Sequence, residues 1–268
     1  MSQLASTNAV DSPEVERLFR LTDRVAIVTG GTRGMGRAVA TGFVAAGAKV
    51  VVASRKPEAV REAERELRER GAEVLGVVAH MGDLDQVQDL VDRTVDRFGG
   101  IDIVINNAAN PLSLPIGHHT PEAWAKSYDV NLRGPVFLVE AALPHLRRSS
   151  HGVVVNVLSA GAFAYSPDTA MYCGAKAAMV SWTRSMAAAL APGVRVNALA
   201  PGVILTDMIL RTDPEYRERM ESASLMRRGA QPEEMVGPAL FLASDASSFM
   251  TGQVLIVDGG LTPASPVS

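Results

Sequence analysis

The chain predicts an α/β fold: one domain built on a doubly wound, seven-stranded parallel sheet with helices on both faces. Three observations lead there. Past the first twenty or so residues, short β-branched runs alternate with longer amphipathic stretches, the pattern of βαβ units. Most of those runs are too apolar to face water on either side, as covered parallel strands are. A glycine-rich turn directly follows the first of them.

The strand candidates, in order, are "RVAIVT", "KVVVAS", "AEVLGVVA", "IDIVIN", "GVVVNVL", "VRVNAL" and "QVLIVD". Between the second and third lies "PEAVREAERELRERG", where Val60, Ala63 and Leu67 recur at helical spacing and the remainder is charged. That charge run reads as a solvated helix face. Glu64 with Arg68 and Glu66 with Arg70 stand in the favourable i,i+4 order, worth about 0.2 to 0.5 kcal/mol per pair, and Gly71 supplies the stop. No internal repeat or linker divides the chain, so residues 22–268 are expected to form the domain and residues 1–21 a loosely held extension.

Composition narrows the function. With 268 residues, 47% of them apolar, the chain can bury a sizeable core. A formal net charge of -3 gives no basic footprint for nucleic acid. No apolar run approaches the roughly 18 residues of a membrane span, so no membrane partner is expected. The start lacks the basic and apolar regions of an export signal, and the single cysteine, Cys173, cannot form an internal disulfide. A cytoplasmic location is the expectation. The five histidines show no metal-ligand spacing, and "GHHT" at 117–120 reads as a polar loop and helix start.

After "RVAIVT" comes "GGTRGMG", which sets Gly30, Gly34 and Gly36 between a strand and "RAVATGFVAAG". Glycines there allow close approach of a phosphate, and the following helix presents free N–H groups and its positive end. A dinucleotide pyrophosphate is the natural guest. A P-loop is excluded because Arg37 and Ala38 follow Gly36 where Lys-Ser or Lys-Thr is required, and the GxGxxG spelling fails at Val39.

"TGGTRGMG" resembles the TGxxxGxG turn of the short-chain dehydrogenase/reductase family, and "NNAA" at 106–109 resembles its Asn-Asn-Ala-Gly. Asn131 in "NLRG", Ser159 in "NVLSAG", Tyr172 and Lys176 in "MYCGAK", "PG" at 201–202 and "DGG" at 258–260 match in order, across roughly residues 21–262. The resemblance implies a Rossmann fold, a nicotinamide cofactor and an oxidoreductase acting on CH–OH and C=O groups. It also implies that Tyr172 is the acid/base, Lys176 lowers its pKa and holds the cofactor ribose, Ser159 hydrogen-bonds the substrate oxygen, and Asn131 anchors a water of the proton relay. The chemistry is consistent with the spacing. Residues four apart share a helix face. Bringing a phenol from about 10 to neutrality takes roughly 4 kcal/mol, close to one ammonium about 4 Å away at an effective dielectric near 20.

Residues Gly30, Thr32, Arg33, Gly34, Met35 and Gly36 are the expected phosphate turn, and Asn107, Ala108 and Ala109 the expected wall at the fourth strand. Pro201, Gly202, Val203 and Thr206 follow the sixth strand, where Thr206 resembles the family residue that holds the carboxamide. Enzymes that prefer NAD carry an acidic residue near the end of the second strand. Here Ser54, Arg55 and Lys56 stand there, with Arg33 in the turn, a set that attracts a 2′-phosphate. NADP(H) is the predicted cofactor and NAD(H) the alternative. His80 and Met81 replace the family's Asp-Val near the adenine.

Three variable loops contain Leu112, Leu114, Phe163, Met208, Ile209 and Leu225, which predict a largely apolar pocket under a mobile lid for a hydrophobic or medium-sized carbonyl or alcohol molecule. A carbonyl reductase leads. A 3-oxoacyl-thioester reductase is the rival, needing a basic patch for which Arg211, Arg217, Arg227 and Arg228 are candidates. A catalytically idle nucleotide-binding scaffold is the third reading. Cys173 reads as helix packing, and the resemblance implies a homotetramer.

Overall fold

The computed structural model describes residues 12–112, 114–210 and 213–262. Its centre is one sheet of seven parallel strands: β1 (Val25–Thr29), β2 (Lys49–Ser54), β3 (Val74–Val78), β4 (Ile103–Asn106), β5 (Gly152–Val157), β6 (Val194–Pro201) and β7 (Val254–Val257). Each predicted β-branched run supplies one strand. Alternate residues of a strand face opposite sides of a sheet, and accordingly Ala26 and Val28 enter one apolar core while Ile27 enters the other.

Ten helices complete the described residues: α1 (Ser12–Leu18), α2 (Gly34–Ala45), α3 (Pro57–Arg68), α4 (Leu84–Phe98), α5 (Pro121–Tyr128), α6 (Gly134–Leu146), α7 (Ala170–Leu190), α8 (Asp207–Leu210), α9 (Pro214–Ser222) and α10 (Val236–Ala243). One face of the sheet is covered by Phe43 of α2, Leu67 of α3 and Leu242 of α10. The other is covered by Leu90 of α4, Leu138 and Leu146 of α6, and Met179 of α7. Burying each such side chain is worth about 1.5–3 kcal/mol. These contacts fix the helices that carry the polar site.

The helix predicted over "PEAVREAERELRERG" is α3, with Val60, Ala63 and Leu67 buried and Gly71 in the left-handed region at φ +80°. Glu64 pairs with Arg68 at 2.7 Å as the spacing requires. Glu66 does not pair with Arg70. It meets Arg37 of the neighbouring α2 at 2.6 Å, where Arg37 also donates to the Ala63 carbonyl. Within the stretch expected to be a loose extension, α1 keeps residues 14–20 exposed, while Leu21 is buried.

The strand order is β3-β2-β1-β4-β5-β6-β7. Connections from β1 and β4 therefore leave in opposite directions, and a crevice opens at the carboxyl ends of these two adjacent strands. Among the described residues no helix is long and apolar enough to cross a membrane.

Candidate active site

The crevice is held open by hydrogen bonds between β1 and β4. The Thr29 hydroxyl accepts from the Asn107 and Ala108 amides, each at 3.0 Å, and donates to the Ile105 carbonyl at 3.2 Å. The Asn107 side chain returns a bond to the Thr29 carbonyl at 2.7 Å. The glycine turn packs onto this wall. A Cβ on Gly36 would fall 2.3 Å from Asn107 Nδ2 and 2.4 Å from the Gly30 carbonyl oxygen, while Gly30 and Gly34 hold φ values of +66° and +51°. Side chains are excluded there on steric grounds, and the N-terminus of α2 opens directly beyond.

The resulting cleft, about 860 Å³, brings together most of the predicted cofactor residues. Gly30, Thr32, Arg33, Gly34, Met35 and Gly36 line it from the turn. Ser54 and Arg55 line it from β2, His80 and Met81 from the end of β3, and Asn107, Ala108, Ala109 and Thr206 from the far side. Lys56 is not brought there; it caps α3 in an exposed position. Tyr172, Lys176, Pro201, Gly202 and Val203 also lie outside the lining. Gly202 instead packs against Asp258 so closely that a Cβ would fall 2.7 Å from the Asp258 Cα. The Asp258 carboxylate in turn accepts from the Gly260 amide at 2.9 Å and from the Thr262 amide at 2.7 Å. Arg37, Asn110, Pro111, Val130 and Leu205 line the cleft without having been singled out. Only Asn110 gave a signal, as the residue directly after "NNAA".

Two features fit a dinucleotide. Thr206 Oγ1 is buried without a hydrogen-bond partner, a costly condition that a polar ligand group in the cleft would relieve. The glycine cradle also leaves room where any Cβ would intrude. His80 Nδ1 accepts from the Gly82 amide at 3.1 Å, which places the proton of the neutral ring on Nε2. No cluster of metal-ligating side chains occurs among the described residues.

The predicted catalytic residues are carried by β5, α7 and the turn before α6. α7 starts at Ala170, so Tyr172 and Lys176 lie in its first two turns. Lys176 is 2% exposed, donates to the Val157 carbonyl at 2.7 Å and stands 5.7 Å from the centre of the Tyr172 ring. Ser159 follows β5, and its hydroxyl accepts from the Gly161 amide at 3.1 Å as it caps a short 3-10 turn. Asn131 is buried in a π-helical turn, Asp129–Arg133, against which α7 packs. Its side chain accepts from the Asn110 amide at 3.0 Å and donates to the Asn110 carbonyl at 2.8 Å. Asn131 thus clamps the loop that leaves the cleft.

The electrostatics differ from the expectation. Burial pushes the Tyr172 phenol up to about 12, against a hydrogen bond with Ser159 that draws it down. Burial also pulls Lys176 down to about 8. Lys176 does not bring the phenol toward neutrality in this structure, because desolvation disfavours both charged forms and the ammonium is bound to a strand carbonyl.

A second cavity, about 500 Å³, is lined by Ile116, Ala164, Tyr165, Ser166, Pro167, Ala170 and Cys173. Leu112, Leu114, Phe163, Ile209 and Leu225 do not line it. The Met208 side chain and Arg211 lie outside the described residues.

Residues 30–262 match the family model described as Enoyl-(Acyl carrier protein) reductase. Human "Dehydrogenase/reductase SDR family member 4" is 39% identical over 248 residues, covering 91% of this chain and 89% of that protein. Arabidopsis thaliana "Short-chain dehydrogenase/reductase SDRA" is 38% identical, covering 90% and 96%. Among solved structures, a gluconate 5-dehydrogenase from Burkholderia cenocepacia in complex with NADP and tartrate superposes with a TM-score of 0.88 at 33% identity, covering 93% of this chain and 99% of that one. Sheet, glycine turn and sequence kinship agree: the chain belongs to the short-chain dehydrogenase/reductase family and is an NAD(P)-dependent oxidoreductase.

Proposed function

We propose that the chain transfers a hydride between NADP(H) and a carbonyl or secondary-alcohol substrate, with Tyr172 as general acid and base. One observation carries this reading. α7 carries Tyr172 and Lys176, Tyr172 is hydrogen-bonded with Ser159, and Asn131, on the turn packed against α7, holds the Asn110 segment that lines the dinucleotide-sized cleft.

When bound, the nicotinamide supplies or accepts the hydride. The chain's own residues manage the proton and the orientation. A phenol held near 12 is protonated at neutral pH and can give its proton to the oxygen of a carbonyl as it becomes an alcohol. The Ser159 hydroxyl, whose oxygen accepts from Gly161 and which is hydrogen-bonded with Tyr172, would turn its one proton to the substrate oxygen when substrate enters. Lys176, near 8, is mostly protonated at pH 7, and after its bond to Val157 it retains two N–H donors for ribose hydroxyls. Thr206 Oγ1 would meet the carboxamide, and the turn amides the pyrophosphate.

The preference for NADP(H) rests on Ser54 at the end of β2 with Arg33 and Arg55 beside it in the lining. Among the described residues neither arginine makes an ion pair, so both are available to a 2′-phosphate. Initial rates at equal NADPH and NADH test this. NADPH is expected to be used at least tenfold more efficiently, the equivalent of about 1.4 kcal/mol, with Ser54→Asp shifting preference toward NADH; a clear NADH preference in the unaltered chain overturns it.

Two of the four basic candidates of the thioester-reductase reading are neutralised, while Arg227 stays exposed. Arg228 pairs with both carboxylate oxygens of Glu234 at 2.7 Å, and Arg217 pairs with Glu221 at 3.7 Å. An idle scaffold gives no reason to keep Ser159, Tyr172 and Lys176 together. Assembly as a homotetramer in the cytoplasm completes the proposal. The exposed Trp124, Phe137 and Trp182 on α5, α6 and α7 support the assembly.

A further inference from the structure

Resting on the hydride-transfer reading, we infer that the second cavity is the substrate's subsite and that it takes an uncharged aromatic or alicyclic arm attached to the carbonyl carbon. The position argues first. Ala170 and Cys173, which line the cavity, share one face of α7, and Cys173 directly follows Tyr172 in the chain. A Cβ built on Gly161 would lie 2.9 Å from Cys173 Sγ and 3.4 Å from Ser159 Oγ, so the cavity wall touches the segment that carries the predicted substrate-binding serine. The loop after β4 lines the large cleft at Asn110 and Pro111, then lines the second cavity at Ile116. One loop therefore borders both spaces. A substrate carbonyl near Tyr172 can direct its larger substituent into the smaller space.

The chemistry argues second. Ile116, Ala164, Pro167 and Ala170 offer hydrocarbon, and Tyr165 and Cys173 add an aromatic ring and a thiol. None of the lining side chains is charged, and Ser166 is the one aliphatic hydroxyl. Tyr165 is 96% exposed and Ile116 69%, a large apolar surface left open at the rim. A flat or compact hydrocarbon arm would cover both, gaining on the order of 25 cal/mol per Å² of apolar surface removed from water. A carboxylate or a row of hydroxyls would find few partners there, and it would lose its hydration.

The experiment compares acetophenone, butan-2-one and 5-ketogluconate as substrates with NADPH, for the unaltered chain and for Ile116→Asp and Tyr165→Ala. NADPH binding by fluorescence and mass by light scattering accompany each variant. The expected result is a kcat/KM for acetophenone about tenfold or more above that for butan-2-one, carried mainly by KM, with 5-ketogluconate poorest. In both variants that ratio falls toward one while NADPH still binds. Preference for 5-ketogluconate, or an unchanged ratio in both variants, overturns the subsite. A changed mass with an unchanged ratio makes the cavity a contact between copies and also overturns it. No oxidation of NADPH with any carbonyl instead defeats the hydride-transfer reading itself.

Discussion

Lys176 is a charged group placed where charge is disfavoured. Its folded pKa of about 8 lies below the ordinary 10.5, so between those values the unfolded chain holds a proton that the folded chain has released. Unfolding free energy from this group therefore rises with pH across that window, by an amount on the order of 3 kcal/mol. Tyr172 acts in the opposite sense above its ordinary value of 10, where the folded chain keeps its proton and stability falls. Measurements between pH 7.5 and 9.5 isolate the lysine. Lys176→Met is expected to be at least as stable as the unaltered chain at pH 7.5 in urea denaturation, with the unaltered chain gaining on it by pH 9.5. Parallel pH dependence of the two would contradict the burial argument. Retention of such a lysine in spite of its cost fits a functional site, where perturbed groups cluster. The sequence made the Tyr172–Lys176 pair legible because i,i+4 spacing fixes a shared face, but it gave no access to the degree of desolvation. Hence the burial that pushes the Tyr172 phenol up was not legible there.

At the scale of elements, the site depends on loops pinned to rigid strands. Asn131→Ala removes both bonds to Asn110 and leaves that residue's amide and carbonyl without those partners. A loss of about 1–3 kcal/mol is expected, with faster hydrogen exchange over residues 108–112 and weaker NADPH binding. Unchanged exchange would mean the clamp is idle. Gly36→Ala is expected to weaken NADPH binding by at least about tenfold, equivalent to 1.4 kcal/mol, because its methyl would collide with Asn107 and Gly30. Isothermal titration checks it, and unaltered affinity would show that the turn yields. All seven strands were legible from their β-branched runs, most plainly β1, β2, β4, β5 and β6, which are largely buried and leave a continuous apolar record; β7 is only partly covered. The π-helical turn at Asp129–Arg133 was not, because five residues are too few to display a period. The Arg37–Glu66 pair was hidden for a related reason: spacing within α3 pointed Glu66 at Arg70, whereas the partner comes from α2. Loop positions such as Ile116 and Tyr165, which line the second cavity, carry no period at all, so no sequence pattern singled them out.

For the whole molecule, strand order places the glycine turn and the "NNAA" wall on adjacent strands, and one cleft spans them. Ligand bound there stabilises the folded chain by about 2.7 kcal/mol at one hundred times its Kd. NADPH is accordingly expected to raise Tm by several degrees, and by more than NADH at equal concentration; equal shifts would contradict the 2′-phosphate site. The central claim is that Tyr172 moves the proton that accompanies hydride transfer. Its most direct test is steady-state NADPH oxidation over a panel of carbonyl compounds by the unaltered chain and by Tyr172→Phe, with NADPH affinity measured for both. The account predicts turnover by the former, a fall of about 10²- to 10⁴-fold in the latter, and affinities within about twofold, a difference below 0.5 kcal/mol. Turnover by Tyr172→Phe at the unaltered rate would contradict it.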